Sequence, residues 1–218
     1  MFPPPTSQPL EALSKKDMTS IKKTSISLKG DITIELETGR FAPQATAAVT
    51  ARCGDTLVLA TLNDNPPKEG LDFLPLTVNY RPKLYAGGII KSSRFVKREG
   101  RPSDEDFLTA RLIDRTLRPV FPKSYRGDLQ IIITPLSVDG ENGPEILSAI
   151  AASAAASIAS TPFDGPVGVV SVGMVDGELQ SNPSNKQMKE SDLDLIVSST
   201  QESLTMIEAG ANEVSKKK

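Results

Sequence analysis

Residues Leu129–Ser160 read LQIIITPLSVDGENGPEILSAIAASAAASIAS, and the fold turns on them. Branched apolar residues crowd Leu129 to Leu136, as in a strand buried within a sheet. Glu141-Asn142-Gly143 is a turn signal, and Pro144 follows where a helix would begin, the position at which the missing N–H of proline costs nothing. The helix predicted over Glu145–Ser160 is almost entirely alanine and serine. Such small side chains let a helix lie close against a sheet, so the segment is read as packing rather than chemistry.

Upstream, a second helix announces itself at Ser103. Pro102 precedes this N-cap, and Asp106 stands three residues on in a capping-box arrangement. Asp104 and Glu105 fill the first turn, where the helix dipole favours anions. Leu108 and Leu112 are expected to form its core seam, and Arg111, Arg115 and Arg118 to share one face before Pro119 ends it. Earlier still, Ile26, Leu28, Ile32, Ile34 and Leu36 predict two short strands joined around Lys29-Gly30-Asp31. Ala45–Arg52 and Thr56–Thr61 flank Gly54-Asp55 as a second hairpin, and Leu74–Tyr80 adds a strand. Downstream, Val167–Val175, Leu193–Ser199 and Leu204–Glu208 supply further strands. Strand pairs, helix, strand, helix and strand pairs predict an α+β protein of mixed β-sheets packed with α-helices. Tyr85-Ala86-Gly87-Gly88 is read as a flexible loop rather than an anion-binding nest.

The chain has 218 residues, 38% of them hydrophobic and 24% charged, enough to bury a core. Ordered structure is expected from about residue 24 to 215, with a disordered tail over 1–23, rich in proline and polar residues, and a lysine tail over 216–218. The opening residues carry neither an apolar signal core nor arginine, and no apolar run is long enough for a membrane span. A single cysteine, Cys53, fits a reducing cytoplasm and is read as buried filler. Histidine is absent, which removes Ser-His-Asp and Cys-His nucleophile systems and histidine metal sites.

Between Lys91 and Arg126 ten basic residues face five acidic ones, on a chain of net charge −2. A positive island on an acidic protein is the footprint of a polyanion site. Phe95 lies within it, and arginines outnumber lysines. Rings stack on bases and guanidinium groups fork onto phosphates, so the expected ligand is a nucleic-acid strand.

Five collinear segments then carry a resemblance: ETGRFAPQATAAV (Glu37–Val49), DFLPLTVNYRPKLYAGG (Asp72–Gly88), REGRPS (Arg98–Ser103), ARLIDRTLRPVFP (Ala110–Pro122), and GPVGVVSVG with the later QSNPS (Gly165–Gly173, Gln180–Ser184). Together they resemble the first ribonuclease PH-like domain of the polynucleotide phosphorylase family. The resemblance implies a ribonuclease PH-like fold of the ribosomal protein S5 domain 2-like type. It implies phosphorolysis of single-stranded RNA from its 3′ end, with inorganic phosphate as co-substrate and Mg²⁺ as cofactor, in a cytoplasmic homotrimeric ring, with neither DNA nor membrane as partner. It further implies a closing helix, a second domain and RNA-binding tail domains beyond Ser215.

Phe95-Val96-Lys97-Arg98 resembles the family loop that lines the RNA entrance, with Arg94 entering as an insertion. Arg94, Phe95, Lys97, Arg98 and Arg101 are therefore the expected RNA-binding residues; no catalytic or metal-ligating residue is expected here. Where catalytic relatives hold phosphate with Gly-Thr-Arg, this chain has Gly143, Pro144 and Glu145. Where they place two aspartates and a lysine, it has Met188, Asp194 and Ile196. Asp192 lies nearby, but the pair is read as solvated surface. Arg101 matches a phosphate-proximal arginine and is expected to contact the RNA backbone or a neighbouring domain. The implied role is the non-catalytic, RNA-guiding, ring-forming first domain of a polyribonucleotide nucleotidyltransferase, inactive alone. The competing possibilities are a free-standing RNA-binding or assembly module and, more weakly, a free-standing ribonuclease PH.

Overall fold

The computed structural model describes residues 20–28, 32–89, 101–175 and 177–214. Six strands form the first sheet: β1 (Lys22–Ser27), β2 (Thr33–Thr38), β3 (Ala47–Cys53), β4 (Thr56–Asn65), β5 (Leu76–Tyr80) and β6 (Asp128–Ser137). Their order is β1-β2-β3-β4-β6-β5, antiparallel except where β5 and β6 run side by side in parallel. A parallel neighbour needs a long crossover, and α1 (Asp104–Leu117) lies within it. After α2 (Pro144–Ile158), strands β7 (Gly168–Val175), β8 (Glu178–Ser181), β9 (Leu193–Ser199) and β10 (Leu204–Ala211) form a second, antiparallel sheet in the order β10-β9-β7-β8. A one-turn helix, α3 (Asn185–Lys189), connects β8 to β9.

The alternation in β4 and β6 explains where the core sits. Val58, Ala60 and Leu62 face inward from β4, and Leu129, Ile131 and Ile133 from β6, all fully buried. Helix α2 covers that face. Its Ala149, Ala151, Ala152, Ala155 and Ala156 are buried, and it packs on β3, β4 and β6 of one sheet and on β7 of the other. The alanines thus act as expected, holding the helix close to two surfaces at once. Ser153 adds a polar tie, its hydroxyl accepting from the Val167 amide at 2.8 Å where the chain enters β7.

Several boundaries move. β1 begins at Lys22, because Lys22 and Lys23 pair with Thr38 and Glu37 and extend the ladder beyond the expected start near Thr24. β4 continues to Asn65, past its expected end at Thr61, because β6 runs alongside it to Asp128. Leu108 does not join a core seam: it is 61% exposed, while Leu112 is 8% exposed. The buried face of α1 is set by Thr109, Ala110, Leu112, Ile113, Thr116 and Leu117, which leaves Leu108 at its margin. Tyr85 to Gly88 is no flexible loop but a turn of 3₁₀ helix closed by the left-handed Gly88. Ala86 within it accepts from the Val138 amide at 2.9 Å. The amides of Ala86, Gly88 and Ile89 are bonded to backbone carbonyls, so they cannot cradle an anion either.

Candidate functional site

The N-terminus of α2 is built by one carboxylate. Asp139 Oδ1 accepts from the amides of Glu141 and Asn142 at 2.8 Å, and Oδ2 accepts from Asn142 Nδ2 at 2.7 Å and the Asp55 amide at 3.2 Å. Burial alone would raise its pKa, but the donors from Asn142, Glu141 and Thr56 outweigh it and hold the carboxyl well below its usual range. The β3–β4 hairpin presses on the same loop. Gly54 turns the chain at a left-handed φ of 58°, and a Cβ there would stand 2.8 Å from Asn142 Nδ2 and 2.9 Å from Asp139 Oδ2. Any other residue would be strained by its backbone and by steric crowding alike. From the other side α3 is tied in: Asn185 donates its amide to Glu141 O at 2.9 Å and its side chain to Gly140 O at 3.0 Å.

This loop forms one wall of a cavity of about 310 Å³ between the two sheets. Glu145 lines it from the start of α2, Met188 from α3, Asp194 and Ile196 from β9, and Glu208 from β10. Met188 is seated by Gly173: a Cβ there would lie 3.2 Å from Met188 Sδ and 3.0 Å from Pro183 Cγ. Glu145 is desolvated, which pushes its pKa up; its own backbone amide opposes the shift and the charge of Glu105 adds to it. Tyr80, buried next to this region, is pushed up by desolvation and by the charges of Glu145 and Asp106. Glu208 meets Arg115 of α1 at 3.2 Å across the rim. Among the described residues, no lysine or arginine lines the cavity.

The structure therefore gathers Gly143, Glu145, Met188, Asp194 and Ile196, far apart in sequence, around one space. Asp194 lines that space from β9 yet is exposed, as is Asp192, so the pair is solvated as expected; Asp192 uses its carbonyl to hold the Asn212 amide at 2.8 Å. The space repels a phosphate dianion, since its charged side chains are all carboxylates. It does not fit Mg²⁺ either. Among the described residues no group of three acidic or sulfur ligands converges on one point, and Met188 and Ile196 offer no oxygen.

Of the expected RNA-binding residues, Arg94, Phe95, Lys97 and Arg98 lie outside the described residues. Arg101 is exposed just ahead of the α1 cap. Part of the basic island is occupied internally. Arg118 forks onto Asp114 at 2.6 and 2.9 Å and donates to the carbonyls of Leu74 and Leu76. Arg115 is held by Glu208, and Arg126 donates to the carbonyls of Lys123 and Tyr125. Arg111 shares the exposed face of α1. Cys53 is buried as expected, its thiol pushed up by desolvation and by the Asp139 charge. Asp139 and Glu208 were not singled out from sequence. Asp139 could have been, since Asp-Gly-Glu-Asn ahead of a proline-started helix signals a side-chain-bonded turn. Nothing local places Glu208 opposite Arg115.

The sequence model described as "3′ exoribonuclease family, domain 1" matches residues 33–162. The chain belongs to that family. The companion model for domain 2 of the same family matches residues 165–218. Among curated relatives, the chain is 54% identical over 195 residues to a polyribonucleotide nucleotidyltransferase of Roseiflexus castenholzii. It is 52% identical over 182 residues to the one of Halothermothrix orenii. These alignments cover 89% and 84% of this chain but 26% of each relative's length. Among solved structures, rice Rrp46 is similar in fold, with a TM-score of 0.63 at 13% identity over 89% of this chain and 82% of that one. The Archaeoglobus fulgidus exosome with RNA bound to its active site gives 0.59 at 15% identity, over 91% and 80%. The α+β, ribonuclease PH-like fold expected from the sequence is thus the fold observed.

Proposed function

We propose that this chain is the non-catalytic first ribonuclease PH-like domain, spanning about residues 24–215, of a polyribonucleotide nucleotidyltransferase. The whole protein degrades single-stranded RNA phosphorolytically from its 3′ end in the cytoplasm, as a homotrimer, with inorganic phosphate and Mg²⁺ engaged by a different domain. This domain guides RNA and builds the ring. The observation that carries the division of labour is the cavity at the head of α2. Glu145, Met188 and Ile196 line it where a phosphorolytic site needs cations and a metal-binding pair. Among the described residues, no helix is long and apolar enough to cross a membrane.

The test is phosphorolysis by the 218-residue chain with phosphate, Mg²⁺ and oligo(A). No diphosphate should form above the blank, and clear release would refute the non-catalytic assignment. RNA guidance is assigned to Arg94, Phe95, Lys97, Arg98 and Arg101, of which Arg101 stands exposed at the α1 entrance. Joint replacement of Phe95, Lys97 and Arg98 by alanine should weaken single-stranded RNA binding. The salt slope should flatten by about 0.7 for each phosphate no longer neutralised by a side chain. Unchanged affinity and slope would remove the loop from the RNA path.

A further inference from the structure

From Phe73 to Arg98 the sequence holds no acidic residue, while Arg81, Lys83, Lys91, Arg94, Lys97 and Arg98 supply positive charge. The 3₁₀ turn Leu84–Gly87 falls inside that stretch, shortly after β5. It is firmly anchored. Ala86 is buried, and its carbonyl accepts from the Val138 amide at 2.9 Å. The amides of Gly88 and Ile89 close the turn on Tyr85 O at 3.0 Å and Leu84 O at 3.1 Å. On this fixed base the Tyr85 side chain stands 58% exposed. Arg81, directly after β5, is exposed as well.

Gly87 supplies a second observation. Its backbone is not left-handed, and a Cβ built there would meet nothing within 4 Å. The fold therefore does not require glycine at this position. Gly88 needs its own for a φ of 73°, yet a Cβ there would also meet nothing. The two leave bare peptide surface next to the exposed ring, over which another backbone can pass closely. Because the amides of Ala86, Gly88 and Ile89 are already bonded, the turn has no phosphate cradle to offer. What it offers is a flat ring in a positive field, which suits a base flanked by its phosphates.

We propose that Tyr85 is a stacking platform for one base of single-stranded RNA, with Gly87 and Gly88 as the bare surface that the strand's sugar-phosphate backbone crosses. The proposal rests on RNA guidance by this domain and adds a contact separate from Phe95, Lys97 and Arg98. A protein partner meeting the same ring would leave RNA affinity untouched by the replacements below.

Fluorescence anisotropy of labelled oligo(A), titrated with the 218-residue chain at several salt concentrations, decides it. Tyr85→Ala should weaken binding roughly 5- to 150-fold, the range for one lost base stack, with the salt slope unchanged because no phosphate contact is lost. Tyr85→Phe should bind within about twofold of the parent, since the ring and not the hydroxyl stacks. An abasic oligomer of the same length should not distinguish Tyr85→Ala from the parent. Gly87→Val should melt as the parent does, having open space around it, yet bind oligo(A) more weakly. An equal loss in Tyr85→Phe and Tyr85→Ala, or a flattened salt slope in Tyr85→Ala, overturns the proposal. Unchanged affinity in Tyr85→Ala while the joint replacement of Phe95, Lys97 and Arg98 weakens binding overturns it alone and leaves RNA guidance standing. The reverse pattern supports Tyr85 and removes those three residues from the RNA path. A chain that binds no single-stranded RNA at all overturns both.

Discussion

At the scale of single residues, two carboxylates a few positions apart respond to pH in opposite senses. Folding raises the Glu145 pKa above its ordinary 4.5. The stability linked to it is therefore fully present below that value and is lost as pH rises through the folded pKa. Glu145→Gln should thus raise the melting temperature at neutral pH by about a few degrees, with the gain vanishing below about pH 4. A thermal melt series of both proteins across that range checks it; a variant less stable at neutral pH would contradict the desolvation argument. Asp139 is depressed instead, below its ordinary 3.8. What it contributes is present above that value and disappears as pH falls through the lower folded pKa. Asp139→Asn should cost about 2 kcal/mol near neutrality by removing its charge-assisted bonds. The deficit should shrink on acidification below about pH 4, as chemical denaturation at several pH values would reveal.

At the scale of elements, α2 depends on having no bulk where it faces the sheets. Ala152 is fully buried, so Ala152→Leu should overpack that surface and cost about 1–3 kcal/mol. Denaturant midpoints would fall while the slope stays unchanged. This helix was legible because its proline start, its turn and its composition all agree. The α1 cap was legible for the same reason: Ser103 accepts from the Asp106 amide at 3.2 Å, and Asp106 accepts from the Ser103 amide at 2.7 Å. Leu108 was misjudged because an i, i+4 pair fixes a stripe but not its phase, and the phase comes from β5, α2 and β10 packed against the helix. The extra residues of β4 were hidden for a related cause. Asn63, Asp64 and Asn65 are loop-forming types, and their strand conformation is imposed by the ladder to Gln130, Leu129 and Asp128. The cavity was half legible. Its occupants at 143, 145, 188, 194 and 196 follow from the resemblance, whereas Glu208 enters only through the β9–β10 register that pairs it with Ile196.

At the scale of the whole molecule, the two family matches meet between residues 162 and 165, and that junction is no seam. Buried residues run without interruption from Ile34 in the first sheet, through α2, to Val169 and Met206 in the second. The Ser153 hydroxyl holds the Val167 amide just past the junction. Severing the chain after Phe163 should consequently yield halves that precipitate when made apart and recover a soluble pair when made together. Co-expression with a tag on one half would register this, and a soluble, cooperatively melting first half on its own would contradict it. A helix wedged between two layers makes each the other's lid, so the ancestry visible as two stretches of sequence survives as one indivisible unit of folding.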